Sequence, residues 1–191
     1  RLISAGGSVY IHDGEGANRL ELVDVALAEV SFSQDDTFTR LTWEDATHGT
    51  TQAKIHRSTN FEEFVFADGS TVGLISFGSG GVRLSGTSGD DILTGSATGA
   101  RILFGGEGDD VLTATYRGGT SDLFGQGGND TYRLISAGGT VYINDGEGAN
   151  RLELVDVALA EVSFSQDDTF TRLTWEDATH GITQAKIHRS T

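Results

Sequence analysis

The chain has 191 residues, with 28 acidic and 13 basic side chains and a formal net charge of −15. Nucleic acids and anionic membrane surfaces are bound through clustered Lys and Arg, so this balance argues against both as partners and favours cations. Cysteine is absent, which excludes a disulfide scaffold and a thiolate metal site. No apolar run approaches membrane-spanning length, so no membrane insertion is expected.

Glycine is abundant, with 27 residues, and proline is absent. This composition is typical of a chain with many turns that need a positive φ or a close backbone approach, and not of a proline-rich linker. A protein that works outside the cell without disulfides needs another source of stability. A bound metal ion is the first candidate.

The chain contains a long internal repeat. Residues 1–59 recur as residues 133–191, with three differences. The differing pairs are Ser8 and Thr140, His12 and Asn144, and Thr50 and Ile182. We therefore expect one full period followed by part of the next, as in a window taken from a tandem array.

In chain order, the stretch 20–77 comes first, and it alternates apolar and polar residues over strand lengths. Period-two alternation with an Asp-Gly turn predicts antiparallel hairpins, and no segment shows a sustained helical period. The predicted strands are Ala28–Phe32, Phe38–Trp43, Gln52–His56, Phe61–Phe66 and Thr71–Ile75, with turns at 35–36, 47–49 and 67–69.

The stretch 82–153 is rich in Gly and Asp and contains four related nine-residue segments. They are 86–94, 105–113, 125–133 and 145–153. Each is a six-residue turn that ends in Asp or Asn, followed by three residues with an apolar one in the middle. Turns without the aspartate lie between them, at 95–104, 114–124 and 134–144. A coil of about 20 residues explains both series, because the acidic turns then stack along one edge and the others along the opposite edge.

Stacking of these turns predicts bound metal. Adjacent parallel strands lie about 4.8 Å apart, so Asp91, Asp110 and Asp130 would repel one another. Carbonyl and carboxylate oxygens from two turns can supply the roughly six to eight ligands that Ca²⁺ prefers, whereas Mg²⁺ needs a tighter octahedron. Four turns make three intervals, so we expect about three calcium ions. The predicted ligand residues are Gly86, Ser88, Asp91, Gly105, Glu107, Gly108, Asp110, Gly125, Gly127, Gly128, Asp130, Asp145, Glu147 and Asn150.

This pattern resembles the glycine- and aspartate-rich nonapeptide of RTX (haemolysin-type) proteins, a Ca²⁺-binding parallel β-roll. Gly105–Thr113 matches every position, and the other three segments depart at one or two. The hairpin stretch, with Val30–Phe32, Leu41–Trp43 and Phe61–Gly69, resembles the β-rich domain often found beside such repeats. The resemblance implies a bacterial protein that folds on calcium after type I secretion, and hence an extracellular or cell-surface location.

Two departures from this pattern lead to specific expectations. Asn150 is neutral, so the third calcium site is expected to be the weakest. The turn Asp13–Asn18 has no acidic turn before it, so it is expected to bind calcium poorly. The second copy also lacks a counterpart of residues 60–81, and another molecule that donated this segment would produce head-to-tail assembly.

We therefore predict an all-β fold, a short parallel β-roll flanked by antiparallel hairpin segments. The predicted domains are 1–81 (antiparallel, with a leading coil 1–19), 82–153 (calcium-binding β-roll) and 154–191 (a partial second copy). The expected role is a structural repeat of an adhesin, filament or surface array whose neighbours are repeats of the same array. An accessory module of a secreted enzyme or toxin and a glycan-binding adhesin module are the alternatives.

No catalytic motif is present, so the chain is not expected to be an enzyme. The paired carboxylates at 90/91 and 109/110 are explained better by calcium than by acid–base catalysis. His48 and His56 could hold a transition metal if they lie on adjacent strands, although solvated histidines are the simpler interpretation. Trp43 and Trp175 could stack on a sugar, although packing inside the sheet is the simpler interpretation.

Overall fold

The computed structural model describes residues 1–13, 18–57, 59, 63–78, 81–95, 100–115, 118–135 and 138–189. Within these ranges the regular structure consists of strands and two 3₁₀ turns of three residues each, which confirms the all-β fold class. None of the described residues forms a helix that is both long and apolar enough to cross a bilayer.

The first unit is a meander whose hairpin the sequence predicts well. It contains β1 (Gly7–Ile11), β2 (Arg19–Glu21), β3 (Ser31–Gln34), β4 (Phe38–Asp45) and β5 (Gly49–His56). The strands β3, β4 and β5 are antiparallel, and β1 pairs parallel with β5. The two predicted strands that correspond to β4 and β5 are confirmed.

The predicted strand Ala28–Phe32 is wrong in its first half. Residues Leu27–Glu29 form a 3₁₀ turn, and β3 begins only at Ser31. The Glu29 carboxylate accepts a hydrogen bond from the Ala26 N–H at 2.9 Å and so closes this turn. The turn also directs Leu27 inward, where it is completely buried.

Two short strand pairs follow, and they belong to different sheets. The strands are β6 (Glu63–Val65), β7 (Thr71–Val72), β8 (Leu74–Gly78) and β9 (Gly81–Ser85). The strand β6 pairs parallel with β2, whereas β8 and β9 form a separate hairpin. The predicted strand Thr71–Ile75 is therefore interrupted at Gly73, where an added Cβ would lie closer than 3.0 Å to the Gly86 carbonyl oxygen. Of the predicted strand Phe61–Phe66, residues 61 and 62 lie outside the described residues.

The central part is a coil of two parallel sheets, as predicted. Its strands are β10 (Ile92–Thr94), β11 (Ala100–Glu107), β12 (Val111–Ala114), β13 (Gly119–Gly127), β14 (Thr131–Leu134), β15 (Gly139–Asn144) and β16 (Arg151–Leu154). One sheet has the order β10-β12-β14-β16, and β9, β11, β13 and β15 are neighbours in the other. Leu93, Leu112 and Tyr132 stack in register and are buried, opposite Leu103 and Leu123. Both faces of the coil thus contribute to a single apolar core.

The second copy continues the sheet of the coil. Its strands are β17 (Ser163–Gln166), β18 (Phe170–Asp177) and β19 (Gly181–His188), preceded by the 3₁₀ turn Leu159–Glu161. The strand β19 pairs parallel with β15, just as β5 pairs with β1. One eight-stranded sheet therefore runs in the order β17-β18-β19-β15-β13-β11-β9-β8. The predicted boundary at 81/82 falls in β9 of this sheet, and the boundary at 153/154 falls in β16 of the other sheet of the coil. The second antiparallel segment thus continues the eight-stranded sheet, and the predicted division into domains stays a prediction.

Candidate metal centre

The four acidic turns stack along one edge of the coil, and the side chain at the sixth position of each turn forms a ladder. The Asp91 N–H donates to Oδ1 of Asp110 at 2.8 Å, and the Asp110 N–H donates to Oδ1 of Asp130 at 2.9 Å. The Asp130 N–H donates to Oδ1 of Asn150 at 2.7 Å. The three aspartates are at most 2% exposed. Strand register fixes this ladder, because the turns join strands that pair residue by residue.

Asp110 and Asp130 differ from Asp91 in the hydrogen bonding of their second carboxylate oxygen. Oδ2 of Asp110 and Oδ2 of Asp130 are buried and have no hydrogen-bond partner among the described residues. Oδ2 of Asp91, by contrast, accepts the Thr87 N–H at 2.5 Å and the Thr87 hydroxyl at 3.0 Å. A buried, unpaired carboxylate oxygen is costly in free energy. These two atoms therefore need either a cation or a proton.

The pKa values of the same groups lead to the same conclusion. Burial raises the pKa of Asp110 to about 7; the hydrogen bond from the Asp91 N–H opposes this, and the charges of Asp130 and Asp91 add to it. Burial also raises the pKa of Asp130, and the charge of Asp145 adds to that shift. The ionised forms of Asp110 and Asp130 are thus unfavourable at neutral pH unless positive charge lies beside them.

The first glycine of each turn leaves the space where oxygens from two turns converge. A Cβ added to Gly86, Gly105 or Gly125 would lie closer than 3.0 Å to Oδ2 of the aspartate in its own turn. It would lie equally close to an oxygen of the next turn, namely the carbonyl of Gly105, the carbonyl of Gly125 or Oδ2 of Asp145, respectively. Each interval therefore contains a cradle of oxygens that only glycine leaves open.

The donor chemistry of these cradles fits calcium. The converging atoms are carboxylate and backbone carbonyl oxygens, the ligands that hard cations take. No group of three or more His, Cys, Asp or Glu side chains is placed to hold a metal ion within the described ranges. The cradles do not need such a group, because backbone carbonyl oxygens of Gly105 and Gly125 make up part of their oxygen donors. Gly108 and Gly128, with φ of 114° and 128°, lie against the backbone of the preceding turn and keep the turns close together.

Three other predicted ligands have side chains on the surface of the turns. The side chains of Ser88, Glu107 and Glu147 are exposed, although Glu107 lies over Gly127 of the next turn. The Gly127 carbonyl accepts the Gly108 N–H at 2.9 Å. The side chains of Ser88, Glu107 and Glu147 lie on the outer side of the turns. That these residues bind calcium stays a prediction.

The third interval is better supplied with charge than the sequence indicates. Asn150 uses Oδ1 for the Asp130 N–H, and its Nδ2 donates to the Glu147 carbonyl at 2.7 Å. The carboxylate that faces Asp130 in this interval belongs to Asp145, at the first position of its turn. Asp145 therefore supplies a negative charge in this interval that the neutral Asn150 does not. The expectation that the third site is the weakest stays a prediction.

Tyr132 is a polar group of the site that sequence reasoning missed. Its hydroxyl donates to Oδ2 of Asp145 at 2.6 Å and lies beside Gly125. Burial and the charge of Asp145 raise the pKa of Tyr132, so the hydroxyl stays protonated as a donor. The signal was available, because Tyr132 stands where the other three segments have leucine.

A second ladder, at the fifth position of the turns, was also missed. The Asp109 N–H donates to Oδ1 of Asp90 at 2.8 Å, and the Asn129 N–H donates to Oδ1 of Asp109 at 2.7 Å. The Ala149 N–H donates to Oδ1 of Asn129 at 2.8 Å. This ladder runs opposite to the sixth-position ladder, since here each side chain accepts from the turn that follows. The turns are therefore tied together before any ion is considered.

The alternative metal and sugar sites are not supported. His48 precedes β5 and bonds through Nδ1 to Oδ1 of Asp45 at 2.8 Å, whereas His56 ends β5. An eight-residue strand spans more than ~20 Å, so these two histidines cannot share one ion. Trp43 and Trp175 are only 3% and 2% exposed, so neither can stack on a sugar. The expectation for the turn Asp13–Asn18 falls on residues 14–17, which lie outside the described residues.

Comparison with known proteins gives limited information. No protein-family model matches the chain, and no curated protein matches it. Among solved structures the chain is similar to the extracellular lipase LipA from Serratia marcescens, at 20% identity and a TM-score of 0.28. The match covers 98% of this chain and 32% of the lipase, so the chain spans about a third of that protein's length. A likeness this weak carries no argument about function. The fold and the stacked turns themselves define an all-β parallel coil with one acidic edge.

Proposed function

We propose that this chain is a calcium-binding structural repeat of RTX type, part of a large protein that is secreted or displayed on a cell surface. One observation carries the proposal. Oδ2 of Asp110 and Oδ2 of Asp130 are buried and find no hydrogen-bond partner in the described part of the chain, and each faces an oxygen of the next turn across the space left by a glycine. A cation of about calcium's size and hardness is the group that satisfies such a set of oxygens.

The three intervals between the four turns are the proposed sites for three ions. The second interval, between Asp110 and Gly125, and the third, between Asp130 and Asp145, have the stronger need, because each contains an unpaired carboxylate oxygen. The first interval depends less on a cation, because Thr87 already satisfies Oδ2 of Asp91. Flexible carbonyl ligands favour calcium over the smaller magnesium ion.

Calcium binding would couple folding to location. The RTX resemblance implies export by type I secretion from a cytosol poor in calcium, and binding outside the cell would then drive the stacking of the turns. The duplicated sequence and the continuous eight-stranded sheet support an extended array of such units. An extender of an adhesin, a filament or a surface layer is the role that a stiff array serves. Neighbouring repeats and calcium are its proposed partners.

The test is a calcium titration of chain that has first been stripped with a chelator. Calorimetry is expected to give about three ions per chain, and thermal unfolding followed by circular dichroism is expected to move to higher temperature as calcium is added. Magnesium at the same concentration is expected to have a much smaller effect. Hydrogen exchange should show the added protection in residues 86–150. An unchanged melting temperature together with no heat of binding would refute the proposal.

A further inference from the structure

The two copies of the duplicated segment differ sharply in burial. Leu27 is completely buried, whereas its counterpart Leu159 is 77% exposed. Phe32 is 8% exposed, whereas its counterpart Phe164 is 60% exposed. The two local sequences are identical, and both form a 3₁₀ turn followed by a strand. The difference therefore comes from what covers each copy.

The largest losses of cover lie on one face of the second copy. Trp43 and Trp175 are buried to the same degree, so the core of the hairpin is complete in both copies. The apolar residues that lose cover form a surface that we name the 154–164 face. Its members are Leu154, Val155, Val157, Leu159, Val162 and Phe164.

The first copy shows what fits this face. The strand β6 pairs parallel with β2, and the Leu22 N–H donates to the Val65 carbonyl at 2.8 Å. The Ala67 N–H donates to the Val25 carbonyl at 2.9 Å, and the Leu27 N–H donates to Oδ2 of Asp68 at 3.2 Å. Backbone pairing and a side-chain cap thus place this segment on the first copy.

Side chains of the same segment fill the apolar surface. Phe64, Phe66 and Val72 are at most 6% exposed and belong to the core that contains Leu27. The second copy has no equivalent neighbour among the described strands, because β16 is the last strand of its sheet and pairs there only with β14.

We propose that the 154–164 face is a docking surface for a second segment with the sequence of residues 63–77, supplied by another copy of the repeat. The segment adds a parallel strand beside β16 and inserts the residues that correspond to Phe64 and Phe66 over Leu159. Residues 19–34 and 151–166 are identical, so the chain itself demonstrates that this surface and this segment are complementary. The inference deepens the array arrangement in the proposed function, but it rests on burial and not on calcium.

The first experiment supplies the segment in trans. A labelled synthetic peptide with the sequence of residues 60–85 is titrated with the full chain, and binding is followed by fluorescence anisotropy. We expect saturable binding to one site. The double variant Leu159→Asp, Phe164→Asp is expected to bind about tenfold more weakly or worse, because it places charge where two large apolar side chains are buried. Both positions are exposed in the chain alone, so this variant should keep the parent's circular dichroism and melting temperature.

A matched peptide control tests the mode of docking. A peptide with Phe64→Asp and Val72→Asp should not bind, because both side chains are buried in the first copy. Binding that the Leu159→Asp, Phe164→Asp variant leaves unchanged would mean that the peptide displaces its own segment from the first copy. That result would overturn the proposal.

The second experiment supplies the segment in cis. The chain is extended after Thr191 by a further copy of residues 60–85, and its melting temperature is compared with that of the parent. We expect an increase of about 4 °C or more and less binding of a hydrophobic dye, with both effects abolished by Leu159→Asp. No peptide binding together with no change in the extended chain would refute the docking surface. Measurements with chelator and with calcium separate this outcome from failure of the calcium proposal, since the 154–164 face lies outside the acidic turns.

Discussion

The substitution Asp110→Asn tests the site most directly, because it removes one buried negative charge while keeping the shape of the side chain. Asp110 is 1% exposed, its Oδ1 accepts the Asp91 N–H, and its Oδ2 has no hydrogen-bond partner among the residues that the structure describes. Asparagine keeps an oxygen for the Asp91 N–H. Its amide takes the place of Oδ2 and can donate toward the Gly125 carbonyl. Without calcium, the substitution is therefore expected to stabilise the protein.

The magnitude follows from the pKa of Asp110, which burial raises from 3.8 to about 7. Each unit corresponds to about 1.4 kcal/mol, so above pH 7 the charged group destabilises the metal-free fold by roughly 4 kcal/mol. The metal-free variant is expected to be more stable than the parent by this amount. With calcium this advantage should shrink by about 2.7 kcal/mol, because a ligand at a hundred times its Kd stabilises the parent by that amount. The variant should lose at least one bound ion.

Urea unfolding at pH 8 measures both differences, once with chelator and once with excess calcium. Asp122→Asn is the matched control, because burial also raises the pKa of Asp122, which lies on β13 away from the acidic turns. The control should gain stability by the same amount with and without calcium. If Asp110→Asn shifts stability in the same direction and by the same amount in both conditions, Asp110 is a structural residue and the metal site is refuted.

Three further predictions follow from the same structure. The stability of the metal-free chain should fall as the pH rises through about 7, because the raised pKa of Asp110 makes its ionised form unfavourable in the fold. Urea unfolding at pH 5 and pH 8 in chelator checks this. Asp110→Asn should flatten the dependence of stability on pH. Leu27→Ala should destabilise the protein by about 2–5 kcal/mol. Its counterpart Leu159 is 77% exposed, so Leu159→Ala should stay within about 0.5 kcal/mol of the parent. Equal losses of stability in thermal unfolding would contradict the burial difference. Gly128→Ala should lower the melting temperature, because its φ is 128° and an added Cβ would strike the preceding turn, whereas Gly146→Ala meets nothing within 4 Å and should be neutral.

The coil could be predicted from the sequence because its pattern is local and repeated. The spacing of Asp91, Asp110, Asp130 and Asn150 predicts the register that the strand pairing shows. The inward direction of Leu112 follows from its place in the middle of a three-residue strand between turns. A period of about 20 residues leaves a parallel coil as the arrangement that places every leucine inside.

Features that depend on distant partners could not be predicted in this way. The pairing of β19 with β15, which joins the antiparallel segment to the coil, involves residues about 45 positions apart and has no local signal. Asp145 is among the predicted ligands, but its position opposite Asp130 could not be predicted for the same reason, because the two carboxylates face each other only once the turns are stacked. The missed 3₁₀ turn at Leu27–Glu29 differs, since Glu29 lies three residues after Ala26 and its capping bond is local.

A comparison of asparagine and aspartate in the two ladders shows what the buried negative charges are for. Asn129 continues the fifth-position ladder and Asn150 completes the sixth-position ladder, each with an amide oxygen. Asparagine therefore satisfies the hydrogen bonds of either ladder as well as aspartate does. At the exposed fifth position, a negative charge in place of a neutral amide costs little free energy. Asp110 and Asp130 are buried, and burial raises the pKa of both carboxyl groups. Hydrogen bonding alone gives no reason for that charge, whereas a cation between the turns does, since it turns an unfavourable column of carboxylates into its own ligands.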